Sequence, residues 1–547
     1  MVALVVAFVA IGVRLFDIQA RDRGHLRSLG IGQRVQTLEL PAERGGIFDR
    51  TGRDLAVSVS QTTITADPRV IVDPIGSAAK LASILHIDEG ALLGRLANPK
   101  SAFAYVARKV DNNMAKQVRH LHLPGISFVD ESKRFYPSGS VAAPMLGFVG
   151  TDNTGLGGLE YLYEKPLRGS AGEVQVERDP QGNDIPGGRH QVRAAQRGSD
   201  LVLTVDQSLQ WNTEQALAQQ VVAAHARGGT AVIADVRSGD ILAMATVDGA
   251  TDTLPAHAAD SSERNRPVTD MYEPGSTNKV ITMAAAIQEG LVSPDTVIDG
   301  VGQTINIGGT EYQDVEDHPS SMSVTDILAQ SSNVGTIKIA SELGKQRFDR
   351  YVRAFGFGRR TALDLPGEER GILLPLGDYN DTSMGSIPIG NGIAVTAMQM
   401  LDVYMTIANN GLSRPPRLVA ATVDAAGIRH DVPLGAPDQV VSAATAKAVS
   451  GMLQQVVETG TGGKAAVAGY SVAGKTGTAR KPPYEHPPYK YVASFAGFAP
   501  ADSPRLAAIV VLDEPQGVSY FASDVAAPVF SQIMQFALTY ERVPTNR

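Results

Sequence analysis

The pattern of apolar and polar positions divides the chain into three stretches of different character. Residues 1–13 (MVALVVAFVAIGV) carry no charge and are followed by Arg14. A bilayer-spanning helix needs about 20 apolar residues, so this run predicts a helix that is either packed in a core or a short anchor; residues 1–20 are taken as a single membrane anchor with its beginning cut short. A secretory signal would show a basic start and a small-residue cleavage site, and neither is present. Arg14, Arg21, Arg23 and Arg27 would sit on the cytoplasmic side by the positive-inside rule, in conflict with an exported body unless basic residues also precede the run.

Residues 21–195 mix short apolar strands with frequent turns. RGGIFDRTGRDLA (residues 44–56) predicts turn, strand and turn, with a hairpin-like step at Asp49-Arg50-Thr51-Gly52. Residues 75–87 have helical apolar spacing. The glycine-rich block 134–172 predicts tight turns and close backbone packing. No period of 20–50 residues recurs, which excludes a repeat array.

From about residue 196 the character changes. RGSDLVLTVD reads as a strand, and SLQWNTEQALAQQVVAAHA as a long amphipathic helix with Trp211 in the core. TAVIADVRSGDILAMA reads as two strands joined at Arg237-Ser238-Gly239-Asp240. Helices fill the middle, and the end returns to strands (VAGKTGTA, YVASFAGFAP, LAAIVVLDEP) before a last helix, APVFSQIMQFALTYE. Strands at both ends with helices between predict an α+β domain, residues 196–547, whose terminal strands meet in one sheet.

Composition narrows the function. The chain has 547 residues, too many for one ordinary core, and its 43% hydrophobic and 19% charged content suits globular folding. A net charge of −8 without a basic patch excludes nucleic acid as a partner. The absence of cysteine excludes disulfides, thiolate zinc sites and a cysteine nucleophile. No cofactor or metal is expected.

Three short motifs carry the chemistry. Ser276-Thr277-Asn278-Lys279 follows Glu273-Pro274-Gly275 and precedes a strong helical run, so Ser276 sits at a helix N-terminus, where free N–H groups favour developing negative charge. Lys279 lies one turn on along the same face; desolvated there, it can take the serine proton. Ser331-Ser332-Asn333 offers a hydroxyl for proton relay and an amide to hold a substrate amide. Lys475-Thr476-Gly477-Thr478 lies on a predicted strand: Lys475 supplies positive charge, the Thr476 and Thr478 hydroxyls suit a carboxylate, and Gly477 lets a substrate backbone lie close.

Other matches read as chance. Ser77-Ala78-Ala79-Lys80 repeats the serine-x-x-lysine spacing inside a helix and reads as a solvated helix face. Residues 469–476 fit the phosphate-loop pattern completely, but Gly477, Pro482 and Pro483 follow where that loop must open a helix. His120 and His122 lack a third ligand and read as a surface pair. Asp513-Glu514 at a strand end reads as a solvated turn.

The ordered motifs, with RGGIFDRTGRDLA, RFYPSGSVAAPMLGFVG, GLGGLEYLYEKPLRG, YEPGSTNK, SSNVG, GNGIAVTAMQ and AGKTGTA, resemble the class B, monofunctional penicillin-binding proteins over nearly the whole chain. The first motif is most similar to the division-specific branch. The resemblance implies a penicilloyl-serine transferase domain behind an elongated, mostly β pedestal and a short membrane anchor, with catalysis on the extracytoplasmic side. It casts Ser276 as nucleophile and Lys279 as general base, Ser331 and Asn333 as relay and positioning groups, and Lys475, Thr476 and Thr478 as the carboxylate site, with Gly477 between them. The backbone N–H groups of Ser276 and Thr478 form the implied oxyanion hole. The implied reaction crosslinks peptidoglycan stem peptides ending in D-Ala-D-Ala, with β-lactams acylating the same serine and a polytopic glycan polymerase and divisome proteins as partners. The family pattern has Gln where Asn391 stands and Pro where Ala397 stands; neither position is expected to carry chemistry. No Glu-x-x-Leu-Asn segment lies between the second and third motifs, which argues against a β-lactamase. A D,D-carboxypeptidase, an elongation-type transpeptidase, a division scaffold and a nucleotide hydrolase are the alternatives.

Overall fold

The computed structural model describes residues 1–18, 34–177, 190–249, 264–484, 487–517 and 519–547. Helix α1 (Val2–Phe16) buries none of its residues. Among the described residues no helix is long and apolar enough to cross a membrane. The rest of the expected anchor, residues 19–20, and Arg21, Arg23 and Arg27 lie outside the described residues.

The N-terminal part is built on one long strand. Strand β1 (Val35–Leu40) belongs to a separate three-stranded sheet, whereas β2 (Ile47–Phe48) and β3 (Asp54–Ala66) form the hairpin that the turn signal predicts. Asp49 closes its turn, Oδ1 accepting from the N–H groups of Thr51 (2.7 Å) and Arg53 (2.9 Å). Three helices pack on this sheet: α2 (Pro74–Leu85), α3 (Glu89–Leu96) and α4 (Asn112–His120). Each begins at an aspartate, Asp73, Asp88 or Asp111, whose carboxylate accepts from the first turn. Between and after them, β4 (Ala104–Val110) and β5 (Ile126–Phe135) pair with β3. Ile64, Leu81, Leu92 and Val118 form the core between the layers. The Ser77 copy of serine-x-x-lysine is corrected here: Ser77 is buried in that core and only Lys80 faces solvent, because Ser77 shares the stripe of Ala78, Leu81 and Leu85. His120 and His122 are exposed, and His120 Nδ1 lies 2.7 Å from the Lys116 carbonyl.

A buried ion cluster ties the two glycine-rich blocks together. Glu160 is fully buried, and its two oxygens each accept from an arginine, Arg44 Nε and Arg134 Nε, both at 2.7 Å. Arg44 also reaches Glu164 at 2.6 Å, and Arg134 Nη1 donates to the Gly45 carbonyl at 2.7 Å. Strands β6 (Gly172–Glu177) and β7 (His190–Arg193) complete the sheet of β1. Strand β8 (Asp200–Leu203) then runs parallel to β2 and antiparallel to a distant strand near residue 420, so one sheet links the N-terminal part to the rest.

Helix α5 (Gln207–Ala223) leads into strands β9 (Gly228–Asp235) and β10 (Ile241–Asp248). Trp211 is not core: it is 54% exposed, because it lies two residues, about 200°, from Leu209 on the buried stripe. The middle supplies α6 (Lys279–Gln288), α7 (Val324–Ala329), α8 (Asn333–Leu343), α9 (Ala397–Ala408), β11 (Val419–Val423, the partner of β8) and α10 (Ala443–Glu458). The end supplies β12 (Ala473–Arg480), β13 (Tyr491–Ala499), β14 (Leu506–Asp513) and α11 (Ala527–Tyr540). The terminal strands do meet in one antiparallel sheet, ordered β10-β9-β14-β13-β12. Both its faces are covered, so alternate residues enter opposite cores: Ala231 and Ile233 join Leu217 of α5 and Phe530 of α11, while Val232 and Ala234 join Met398 and Leu401 of α9. Ala397 is the first residue of α9, a position whose unbonded N–H tolerates proline.

Candidate active site

The first motif sits where sheet and helices meet. Gly275, at φ 56°, turns the chain into a short 3₁₀ segment (Gly275–Asn278) that runs directly into α6. A left-handed residue there costs glycine little. Ser276 remains partly exposed, and its hydroxyl makes no hydrogen bond among the described residues.

Lys279, one turn on, is completely buried. Its Nζ donates to the Ser331 carbonyl (2.5 Å), the Ser331 hydroxyl (3.2 Å) and Asn333 Oδ1 (2.7 Å). Burial pushes its pKa down to about 7, against the opposing pull of Asp314. An ammonium held there is poised to give and take a proton near neutrality. Ser331 lies between α7 and α8 at φ 62°, a left-handed conformation that serine rarely adopts. It turns the chain so that Ser331 and Asn333 both face Lys279.

Asp314 braces the second motif. Its Oδ1 accepts from the backbone N–H groups of Asn333 and Val334, and its Oδ2 from Ser332 Oγ (2.6 Å), with His318 Nε2 also at 2.6 Å. A carboxylate at the start of α8 satisfies N–H groups that the helix leaves open. The sequence reading missed it, since Asp314-Val315-Glu316-Asp317-His318 has the composition of a solvated loop. Acylation at Ser276 is expected to rise with pH through about 7 as Lys279 loses its proton, and to level off above. Asp314→Asn removes the charge that holds the Lys279 pKa up, so the midpoint of that rise should move to lower pH. A pH profile of penicillin acylation reads this; an unmoved midpoint would show that Asp314 acts on α8 alone.

The third motif forms β12 at the sheet edge. Lys475 is completely buried, and Nζ donates to the Thr476 carbonyl and hydroxyl, both at 3.2 Å. Burial first, then repulsion by Lys279, pushes its pKa far down. Thr461 lies 2.9 Å from the Thr476 hydroxyl and 3.4 Å from Lys475 Nζ; sequence reading missed it because Gly460-Thr461-Gly462 looks like a plain turn. Thr478 accepts from the Ala522 N–H at 3.1 Å.

The three motifs thus line one cleft of about 330 Å³. Ser276, Ser331, Asn333, Thr476 and Thr478 face it; Lys279 and Lys475 are fully buried and do not line it, but bond to residues that do, Lys279 to Ser331 and Asn333 and Lys475 to Thr476. Asn391 lines it too, because the turn after Gly390 folds against Gly275. Beside the cleft, Tyr520 stacks between Tyr491 (4.1 Å) and Phe521 (4.6 Å).

Gly477 has a part that the sequence did not suggest. A Cβ there would meet the Pro274 carbonyl at 2.6 Å, Ser494 Oγ at 2.8 Å and Thr277 Cγ2 at 3.0 Å. Its bare Cα lets the Ser276 turn seat on the strand. Gly477→Ala is expected to displace that turn, slow acylation by about tenfold to a hundredfold and cost about 1–3 kcal/mol of stability by overpacking; fluorescent-penicillin kinetics on the folded protein and a thermal melt read the two effects, and a parent rate of acylation would show that the turn holds its place.

The remaining candidates resolve as structure. Residues 473–480 form one strand through Lys475 and Thr476, so no helix opens at the phosphate-loop match. Asp513-Glu514 is not a solvated turn: Glu514 is 5% exposed and paired with Lys481 and Lys490, both at 2.7 Å. Burial would raise its pKa, but the two lysines win and hold it at about 2.

Comparison with known proteins identifies the family. Residues 39–203 match the penicillin-binding protein dimerisation domain, and residues 229–535 match the penicillin-binding protein transpeptidase domain. The chain belongs to the class B penicillin-binding proteins. This penicillin-binding protein is 37% identical over 520 residues to the peptidoglycan D,D-transpeptidase FtsI of Escherichia coli, a match covering 93% of this chain and 85% of that one. It is 34% identical over 579 residues to PbpB of Mycobacterium tuberculosis, covering 100% and 84%. Among solved structures, penicillin-binding protein 3 of M. tuberculosis in complex with aztreonam superposes with a TM-score of 0.71 at 30% identity, covering 93% of this chain and 98% of that one. A peptidoglycan synthetase from Bifidobacterium adolescentis gives 0.76 at 29% identity, covering 94% and 98%. The penicillin-binding protein is an enzyme with a serine transpeptidase domain.

Proposed function

We propose that the protein is a peptidoglycan D,D-transpeptidase of the septum, and a β-lactam target, working through an acyl-enzyme on Ser276. The observation that carries the reading is the hydrogen bonding of buried Lys279 to both Ser331 and Asn333, one turn from Ser276. In the first half-reaction Ser276 Oγ bonds to the penultimate D-Ala carbonyl carbon, and its proton passes to neutral Lys279. The oxyanion faces the N–H groups of Ser276 and Thr478. The carbon–nitrogen bond then breaks, and Ser331 relays the proton to the departing D-Ala amine. In the second, the amine of a neighbouring stem attacks the ester and Ser276 recovers its proton. Asn333 holds the stem-peptide amide. Thr476, Thr478 and Lys475 receive the terminal carboxylate, whose negative charge would oppose the lowering of the Lys475 pKa by burial.

The septal assignment rests on the E. coli relative and on the form of the first motif. Single-pass anchoring through α1, with the catalytic domain outside the cytoplasm, and partnership with a polytopic glycan polymerase and divisome proteins belong to the same proposal. So do the domain limits of 21–195 and 196–547. Incubation with a stem-pentapeptide donor and an amine acceptor tests the reaction. Crosslinked product with release of D-Ala is the expected result; free tetrapeptide alone would make the protein a D,D-carboxypeptidase.

A further inference from the structure

A second cavity, of about 580 Å³ and larger than the catalytic cleft, opens beside the residues that lead into the Ser276 turn. Its walls come from the residues just before Ser276 (Met271, Tyr272, Glu273), the start of α9, and β9, β12, β13 and β14. Ile393, Ala397, Val492 and Val511 make much of the lining apolar. Two hydroxyls interrupt it. Thr230 is 5% exposed and its Oγ1 has no hydrogen-bond partner among the described residues. The Tyr272 hydroxyl is buried beside Ser494 without a hydrogen bond of ordinary geometry. A hydroxyl without a partner gains a bond from any ligand that brings an acceptor oxygen to it.

The charges at the cavity are mostly matched. Arg266 pairs with Asp248 and Asp270, and Lys481 with Asp513. Arg480 is the exception: it lies over the Tyr489 ring at 3.8 Å and has no carboxylate partner among the described residues. An apolar lining, hydroxyls without acceptors and a rim cation without an anion among the described residues select an amphipathic organic anion, an aromatic or branched carboxylate with a further acceptor oxygen.

Glu273 joins this cavity to the catalytic cleft. Its carboxylate lines the cavity and accepts from the Gly392 N–H at 2.9 Å, three residues before Ser276 and one after Asn391 of the cleft. Burial raises its pKa, and Tyr484 at the cavity rim leans on it. We infer that this cavity is a second ligand site for an amphipathic organic anion, whose occupant presses on the Glu273–Gly392 bridge and so changes the acylation rate at Ser276.

2-Naphthoate is a suitable probe, titrated by calorimetry against the full chain, free and penicilloylated. Saturable binding is expected in both forms, since Ser276 lies outside the cavity. Thr230→Val, which keeps the shape and removes the hydroxyl, and Arg480→Ala, on the rim, should each weaken it by about threefold to tenfold. Saturating naphthoate should change the rate of fluorescent-penicillin acylation at least twofold, about 0.4 kcal/mol in barrier height. No saturation up to about 10 mM, loss of binding on penicilloylation, or indifference to both substitutions would overturn the site. Binding with an unchanged acylation rate would overturn its coupling to Ser276. Arg480→Ala is a surface change, so it decides the matter even if Thr230→Val fails to fold.

Discussion

Lys279→Met is expected to lower the rate of penicillin acylation at Ser276 by about 10⁴-fold or more, while the protein stays folded. Methionine fills nearly the same volume and removes a buried ammonium, so the core around α6 should lose nothing by the change. What disappears is the group proposed to take the Ser276 proton, together with the bonds from Nζ to Ser331 and Asn333. Ser276→Ala, which leaves those bonds in place, should show no covalent adduct at all by intact mass. The comparison separates two functions. If Lys279 only organised the second motif, its replacement would weaken substrate binding and leave the acylation step itself near the parent rate. If it is the base, the chemical step collapses at any β-lactam concentration. Stopped-flow acylation over a range of concentrations reads both, and an acylation step within tenfold of the parent would remove Lys279 from the proton path.

Glu160→Ala is expected to cost about 3–5 kcal/mol of stability, the penalty for leaving buried charge without its partner. Two arginines, Arg44 and Arg134, are 2% and 7% exposed and converge on this one carboxylate. Removing it strands both guanidinium groups where water does not reach. Arg44 keeps Glu164, and Arg134 keeps the Gly45 carbonyl, so the loss is shared rather than total. Urea unfolding followed by far-UV circular dichroism, read on the N-terminal transition, measures it. A change below about 1 kcal/mol, the range of an exposed pair, would show that the cluster hydrates on mutation. Neither Glu160 nor either arginine lines the catalytic cleft, so penicillin acylation of the folded fraction should keep its parent rate.

Much of the architecture was legible in local pattern. Alternation and turn chemistry located the β2–β3 hairpin and the β9–β10 pair. The Pro-Gly break placed Ser276 at a helix start, and Pro482 and Pro483 argued against a phosphate loop. These features depend on a few neighbouring residues, and neighbouring residues are what a sequence displays. Helices α3 and α4 were harder to see: they are only 8 and 9 residues long, with two buried positions each, too few to establish a 3.6-residue period.

Burial and convergence belonged to the tertiary structure. Trp211 is exposed and Ser77 buried because the neighbouring layer covers one face of each helix, and an apolar or polar side chain does not reveal which face that is. Glu514 looked solvated until Lys481 and Lys490 closed on it. Asp314 gained its role only when its loop folded over the start of α8. The motifs at 276, 331 and 475 announced their residue types in the sequence, but the low pKa of Lys279 comes from desolvation by chains far from it in order, and that is a property of packing alone. Sequence fixed which groups the catalytic cleft has; the fold set their protonation, their spacing and the bare Gly477 surface against which the nucleophile turn rests.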